Sequence, residues 1–361
     1  MRQGAVGVSS GLVYPPNLYS NKEELIEICK GSAKYNGSFV VHIRDEGNSC
    51  LEALDEVIDV ARQTGVRLQI SHFKVAGEKN RHKFKLFLQK MDDAREEGIE
   101  VTFDQYPYAT GSTVLHNILP AWMHSGGTEM MLERLKDPNL REEIKKGIAE
   151  KDDYRNLSVK DEWQKITVNS VASEKNRHLE GKTMVEVAEI RGVDPADAAC
   201  DLLVEENAAV TMIIQWGREE DIIHGMTHHL QMVGSDGIFG GRPHPRLCGT
   251  YPKVLGRYVR EQSVFTLAEG IRKMTGAPAQ FLRLKDRGYL REGYWADIVI
   301  FDPDTIIDQA TYDDPMQAPR GISHVIVNGK ITIKHNEYTG ETAGMVIRNE
   351  ETLAKSSKVN V

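Results

Sequence analysis

The sequence predicts an α/β protein in which helices cover a parallel sheet. Over residues 5–104, short aliphatic runs typical of strands buried on both faces alternate with amphipathic segments typical of helices. Gly37, Gly65 and Gly98 follow three of the helical segments, where a left-handed residue is easiest to place. At 361 residues the chain can also bury a large core, with room for one large domain and a smaller one.

The first part of the chain orders these elements regularly. Strands are predicted at 5–10, 39–43, 66–71 and 100–104. Helices are predicted between them, from a capping box at 20–23 to about residue 35, over 51–63 and over 84–97. Strands joined through helices in this way are the repeating units of a (β/α) barrel, whose active sites lie at the carboxyl ends of the strands.

The alternation breaks after residue 112 and resumes after 194. The intervening segment is rich in charge and holds one clear strand candidate at 165–168, so we predict an insertion or lid over the rim. Further on, the predicted elements are a helix at 195–206, a strand at 210–214, a helix at 218–229, a strand at 231–235, helices at about 251–261 and 267–275, and β segments at 297–301, 324–328 and 331–334. The predicted division is barrel strands with helices at 1–112, an insertion at 113–194, barrel completion at 195–285 and a C-terminal β-sandwich portion at 286–361.

Composition excludes several classes of function. The net charge of −8 and the lack of a Lys/Arg run argue against nucleic-acid binding. No stretch approaches the ~18 apolar residues of a membrane span. The four cysteines are scattered without a CxxC pair, which indicates free thiols in a reducing compartment. We therefore expect a cytoplasmic protein that binds neither membranes nor nucleic acids.

Two histidines stand at the ends of predicted strands. His42 ends the run at 39–42, and His72 follows the run at 68–71. A single histidine of this kind is more often a hydrogen-bonded core residue than a ligand. Two at matching strand ends, each followed two positions later by a basic residue (Arg44, Lys74), favour a shared divalent metal, because imidazole is a common zinc ligand.

Asp236 ends another buried strand, within the sequence Val-Gly-Ser-Asp-Gly. Ser-Asp-Gly is common turn material, so by itself this aspartate indicates no more than an Asx turn or a helix cap. Together with two histidines on the same rim, it suggests a carboxylate beside the metal that takes a proton from bound water.

Two further stretches leave two interpretations open. Tyr106 and Ser112 follow the strand at 100–104, and either orient a substrate or form a packed aromatic corner. Arg242 and Arg246 lie in the loop after Asp236, where solvated arginines are the default, although a position on the rim favours a guanidinium that clamps a carboxylate.

An ordered set of motifs resembles the N-acyl-D-amino-acid deacylases (D-aminoacylases) of the amidohydrolase superfamily. The motifs cover essentially the whole chain and are Gly4-Ala-Val-Gly-Val-Ser-Ser-Gly-Leu-Val-Tyr-Pro, His42-Ile-Arg-Asp-Glu, Ile70-Ser-His-Phe-Lys, Asp104-Gln-Tyr-Pro-Tyr, Gly234-Ser-Asp-Gly, His244-Pro-Arg and Gly293-Tyr-Trp-Ala-Asp-Ile-Val-Ile-Phe-Asp-Pro. The resemblance implies a metallo-dependent hydrolase barrel, here about strands 4–8, and one or two zinc ions. It also implies hydrolysis of the amide of a small N-acyl-D-amino acid to a carboxylate and a D-amino acid.

The resemblance assigns roles to particular residues. It implies that His42 and His72 bind metal, and that Asp236 binds or faces the metal and acts as general base and then acid. It places Lys74 and Tyr106 near the substrate carboxylate, and Ser112 and Arg246 among further substrate contacts.

The chain also departs from the family pattern. Family members begin with part of a β-sandwich and a first barrel strand bearing a His-x-His pair, and neither occurs in this sequence. We therefore expect that roughly the N-terminal third of such an enzyme is missing, and that metal occupancy and activity are impaired. A catalytically inactive fragment, or a subunit completed by another polypeptide or by a second copy, stays an open alternative. A cyclic-amide hydrolase is less favoured, because 4–14 lacks the lysine that those enzymes usually carry on strand four.

Overall fold

The computed structural model describes residues 1–150 and 163–348, and within them the chain forms three sheets. The strands are β1 (Gly7–Gly11), β2 (Ser38–His42), β3 (Arg67–Ile70), β4 (Val101–Gln105), β5 (Thr110–Val114), β6 (Ile166–Ser170), β7 (Thr211–Gln215), β8 (Gln231–Val233), β9 (Ile298–Phe301), β10 (Ile322–Val327), β11 (Lys330–Lys334) and β12 (Glu337–Tyr338). The helices are α1 (Lys22–Ala33), α2 (Cys50–Thr64), α3 (Lys83–Glu96), α4 (Gly127–Lys136), α5 (Pro138–Glu150), α6 (Met184–Arg191), α7 (Pro195–Glu205), α8 (Glu219–Thr227), α9 (Arg246–Lys253), α10 (Leu267–Met274) and α11 (Gly276–Phe281). A π-helical segment, Val254–Glu261, continues α9.

A five-stranded parallel sheet positions the candidate site. Its strand order is β1-β2-β3-β4-β8, and all four strand pairs are parallel. Helices α1 to α3 bury their apolar stripes against it, and Phe39, Leu54, Leu68 and Phe103 are among the fully buried residues of this core. The predicted α/β class is confirmed, because strands without a polar face can be stable only when helices cover them.

The second sheet departs from the expected organisation. Strands β5, β7 and β6 form an antiparallel sheet in that order, and its core extends from Leu115 to Ile214 together with α4 to α7. The sequence predicts the strand at 210–214 as part of the resumed barrel, but β7 pairs with β5 and β6 instead. An apolar run predicts that a strand is buried but not which strand it pairs with. Because β7 belongs to the second sheet, the insertion ends near residue 215 rather than 194.

The third sheet is antiparallel, with the order β12-β11-β10-β9. The predicted hairpin turn lies between β10 and β11, where Asn328 and Gly329 have φ values of 49° and 81°. Positive φ at both central residues is what a two-residue turn of the Asn-Gly kind requires. Across the described part of the chain, no helix combines the length and the apolar character that crossing a membrane demands.

Candidate metal and substrate site

The residues predicted for the site converge at the carboxyl edge of the parallel sheet. His42 is the last residue of β2, His72 lies two residues beyond β3, and Asp236 lies three residues beyond β8. A cleft of about 880 Å³ opens at this edge. It is lined by all of the predicted site residues, which are His42, His72, Lys74, Tyr106, Ser112, Asp236 and Arg246.

His42 and His72 form a donor group with Glu46, a residue that the sequence analysis did not single out. The imidazole centroids are 4.3 Å apart. Glu46 Oε1 lies 3.0 Å from His72 Nδ1 and 3.8 Å from His42 Nε2. The ligand atoms of these three residues lie within 4.8 Å of one another. Glu46 stands four positions after His42 in the same motif, and this nearness along the chain is the sequence signal that indicates it.

Lys74 places a positive charge inside this group. Its Nζ lies 2.7 Å from Glu46 Oε1 and 2.7 Å from His72 Nδ1. Burial works against the ammonium, but the Glu46 carboxylate outweighs it and raises the pKa of Lys74. Burial likewise opposes the Glu46 carboxylate, yet Lys74 and the two imidazoles hold its pKa well below the usual range. The group is therefore arranged around a cation.

The imidazoles themselves are suited to coordination. Burial lowers the pKa of His42 well below its ordinary value, which keeps the ring neutral at neutral pH. His72 Nδ1 lies 2.7 Å from the Lys74 ammonium and 3.0 Å from the Glu46 carboxylate, so this ring nitrogen stands at the centre of the donor group. Two imidazoles and one carboxylate match the His₂Glu set of catalytic zinc sites. The donor chemistry fits a zinc ion, provided that the ammonium moves aside.

Asp104 at the end of β4 orients His72 through the main chain. Its Oδ1 accepts the His72 N–H at 2.8 Å, and its Oδ2 accepts Gln69 Nε2 at 2.8 Å. His72 has a φ of 37°, a left-handed value that is unusual for a residue other than glycine. A Cβ at Gly234 would lie 2.7 Å from Asp104 Oδ1, so only glycine lets the chain pass this close.

Asp236 belongs to a neighbouring ion pair rather than to the three-residue donor group. Its Oδ2 lies 2.8 Å from Arg246 Nη2, and it too has a left-handed φ, of 46°. The Arg246 side chain is 1% exposed, against 33% for Asp236. Arg246 is therefore no solvated loop arginine, since it begins α9 and donates to the Ser112 carbonyl at 3.3 Å.

Tyr106 and Ser112 contribute in different ways. The Arg246 guanidinium lies 4.6 Å from the centroid of the Tyr106 ring. The Tyr106 hydroxyl is buried and has no hydrogen-bond partner among the described residues, and burial raises its pKa. Tyr106 thus keeps a donor unused beside the cleft, whereas the bond from Arg246 reaches the main-chain carbonyl of Ser112 and not its hydroxyl.

Comparison with known proteins agrees with this geometry. The model of the amidohydrolase family matches residues 182–333. The D-aminoacylase of Alcaligenes xylosoxydans xylosoxydans is 34% identical over 350 residues, which is 96% of this chain. By both comparisons the chain is similar to proteins of the amidohydrolase family. The N-acyl-D-glutamate deacylase of the same organism is also 34% identical, over 98% of this chain.

Solved amidohydrolase structures are similar in three dimensions as well. The N-acyl-D-glutamate deacylase from Bordetella bronchiseptica, complexed with zinc and a phosphonate mimic of the tetrahedral intermediate, superposes with a TM-score of 0.79 at 32% identity. The match covers 96% of this chain and 63% of that structure. The chain likewise spans 62% and 63% of the two curated relatives' lengths. A D-hydantoinase aligns with a TM-score of 0.50 at 12% identity, a likeness of fold alone.

Proposed function

We propose that this chain carries the site of a metal-dependent hydrolase that cleaves the amide bond of N-acyl-D-amino acids. The products are a carboxylate and a free D-amino acid. The observation that carries the proposal is the meeting, in one cleft, of a His₂Glu donor group with an Asp–Arg pair and a buried lysine. The similarity to D-aminoacylases, at about a third of positions, supports the choice of substrate.

In this proposal His42, Glu46 and His72 hold a zinc ion. When bound, the ion supplies Lewis-acid chemistry, since it polarises the acyl carbonyl and lowers the pKa of a water beside it. Three protein ligands are the number that catalytic zinc sites have beside a water or substrate, and His42, Glu46 and His72 would supply them. Lys74 Nζ, which now lies among these donors, is then free to meet a substrate anion.

Asp236 moves the proton. It accepts a proton from the attacking water and returns it to the nitrogen of the leaving amine, so the D-amino acid departs as a neutral amine. The Arg246 guanidinium lies 2.8 Å from Asp236 Oδ2 and holds the carboxylate that accepts this proton in place. Asp236 has a left-handed φ and lines the cavity, so it borders the space in which the substrate would bind.

Two cationic side chains in the cleft, each paired with a carboxylate of the same cleft, select the substrate. Lys74 and Arg246 supply positive charge, and Tyr106 supplies a buried hydroxyl that lacks a partner among the described residues. Ser112, on β5, completes this side. We propose that these groups bind the substrate's carboxylates, which favours an acidic D-amino acid. Relatives named as N-acyl-D-glutamate and N-acyl-D-aspartate deacylases support this preference.

We further propose that the protein works in the cytosol. Its four cysteines, all within the described residues, are free, and burial raises the pKa of the Cys29, Cys50 and Cys200 thiols to about 12. Unreactive buried thiols of this kind are typical of proteins from reducing compartments.

The experiment measures zinc content and turnover of the purified chain on N-acetyl-D-glutamate and N-acetyl-D-methionine, with and without added zinc. We expect zinc-dependent release of the D-amino acid, with N-acetyl-D-glutamate preferred. His72→Ala is expected to abolish turnover, while the exposed His82→Ala serves as the matched control. Zinc bound in the cleft without turnover would favour an inactive chain, or one completed by another polypeptide or a second copy. Turnover that survives His72→Ala would sink the proposed site.

A further inference from the structure

A second group of metal-ligating side chains lies away from the cleft. Asp92 is on α3, and His228 and His229 form the turn between α8 and β8. Their ligand atoms lie within 4.8 Å of one another. Since His228 precedes β8 and Asp236 follows it, this group stands at the opposite end of that strand from the proposed catalytic site.

The spacing of the donors is close to that of a metal site. Asp92 Oδ2 lies 3.3 Å from His228 Nε2, and Asp92 Oδ1 lies 3.8 Å from His229 Nε2. Two ligands that each bind a tetrahedral zinc at about 2.0–2.1 Å stand about 3.4 Å apart. Only small side-chain movements are needed for the three groups to converge on one ion.

One oxygen of the Asp92 carboxylate, Oδ1, is buried without a hydrogen-bond donor among the described residues. A buried carboxylate oxygen without a donor is costly, and a cation beside it removes that cost. His229, whose side chain is 69% exposed, is positioned to complete the group from the solvent side.

The turn that carries the histidines is held in place. Lys273 Nζ donates to the His228 carbonyl at 2.7 Å, and the His228 ring lies 5.6 Å from the Phe103 ring in a tilted arrangement. The Leu230 N–H approaches His228 Nδ1 at 3.4 Å, which leaves Nε2 facing Asp92. When His228 binds a metal through Nε2, its proton sits on Nδ1, which can then no longer accept the hydrogen bond from Leu230. The loss of this long hydrogen bond limits the affinity for the metal, even though the ligands are well placed.

We propose that Asp92, His228 and His229 form a second binding site for a divalent transition metal. Two imidazoles and one carboxylate suit zinc, cobalt or nickel, and they do not suit magnesium or calcium, which prefer oxygen ligands. The exposed side of the site leaves room for water as a further ligand. A bound ion ties α3 to the start of β8, the strand that leads to Asp236.

The test is made in a variant whose cleft site is disabled, so that zinc bound in the cleft does not contribute to the measured binding. Zinc binding by the full-length His72→Ala variant is measured by equilibrium dialysis, and Co²⁺ binding by visible absorption. We expect one ion per chain, bound at least about tenfold more weakly after His229→Ala is added. His82→Ala, which removes another exposed histidine, is expected to leave binding unchanged.

Thermal unfolding provides a second readout. Zinc is expected to raise the Tm of His72→Ala but not of His72→Ala/His229→Ala. Asp92→Asn repeats the test from α3, and the Tm without metal verifies that each variant folds. Unchanged binding after His229→Ala overturns the proposal, as does an equal loss after His82→Ala. Neither result depends on turnover in the cleft, so a failure of the second metal site is distinguishable from a failure of the proposed hydrolase activity.

Discussion

The replacement of Glu46 by glutamine tests the residue on which the donor group depends. The substitution keeps the shape of the side chain and removes its charge. Glu46 faces both histidines and the Lys74 ammonium, and its side chain is only 16% exposed, against 10% for Lys74. We expect two effects, a loss of stability without metal and a loss of zinc affinity.

The magnitude follows from burial and geometry. Removing one partner of a buried ion pair typically costs about 3–5 kcal/mol. The glutamine carbonyl still accepts a hydrogen bond from Lys74, so we expect a smaller cost of about 2–3 kcal/mol in the free energy of unfolding. Zinc affinity is expected to fall by at least about 100-fold, since the only anionic ligand of the group is lost.

Glu56→Gln is the matched control. Glu56 forms a similarly buried pair with Arg44, at 2.8 Å and with 18% and 13% exposure, but it belongs to no donor group among the described residues. Urea unfolding in the presence of a chelator and zinc dialysis are measured for both variants, each carrying His229→Ala so that only the cleft site is measured. Both should lose stability, and only Glu46→Gln should lose zinc affinity. Equal zinc affinity in the two variants would refute Glu46 as a ligand.

Three further predictions concern charge, pH and close packing. Arg246→Lys keeps the charge but loses the planar fork beside Asp236, so kcat/KM for N-acetyl-D-glutamate should fall about 10- to 100-fold, and an unchanged value would exclude the proposed clamp. Burial opposes the Glu206 carboxylate, but hydrogen bonds from Ser173, Asn176 and Ala172 outweigh it and lower its pKa. The unfolded chain therefore binds the proton more tightly, and the stabilisation is complete above the ordinary carboxyl pKa and disappears as the pH falls through the lowered value. Glu206→Gln should accordingly cost about 2–4 kcal/mol at neutral pH, and the gap to the parent protein in urea unfolding should narrow below pH 4.5; a constant gap would contradict this. Gly234→Ala places a Cβ against Asp104 and should cost about 1–3 kcal/mol of stability, measured by thermal unfolding.

Most of the strands and helices around the site could be predicted from the sequence. Strand–helix alternation depends on local hydrophobic periodicity, so β1 to β4 and the helices between them could be located before any contact was known. The Asn-Gly turn at 328–329 follows from local conformational preference in the same way. The partner of β7 could not be located in this way, because strand pairing is a long-range choice that an apolar run does not encode.

The sequence by itself determined that two histidines and an aspartate stand at strand ends, since both the residues and the strands are written locally in the chain. Only the tertiary structure decided that Glu46 joins the histidines, that Lys74 lies among them at 2.7 Å, and that Asp236 pairs with Arg246. Likewise, residues as far apart as Asp92 and His228 meet only after α3 and the turn before β8 pack together. Side-chain charge and burial act over a few ångströms of space, whereas the sequence records neighbours along the chain.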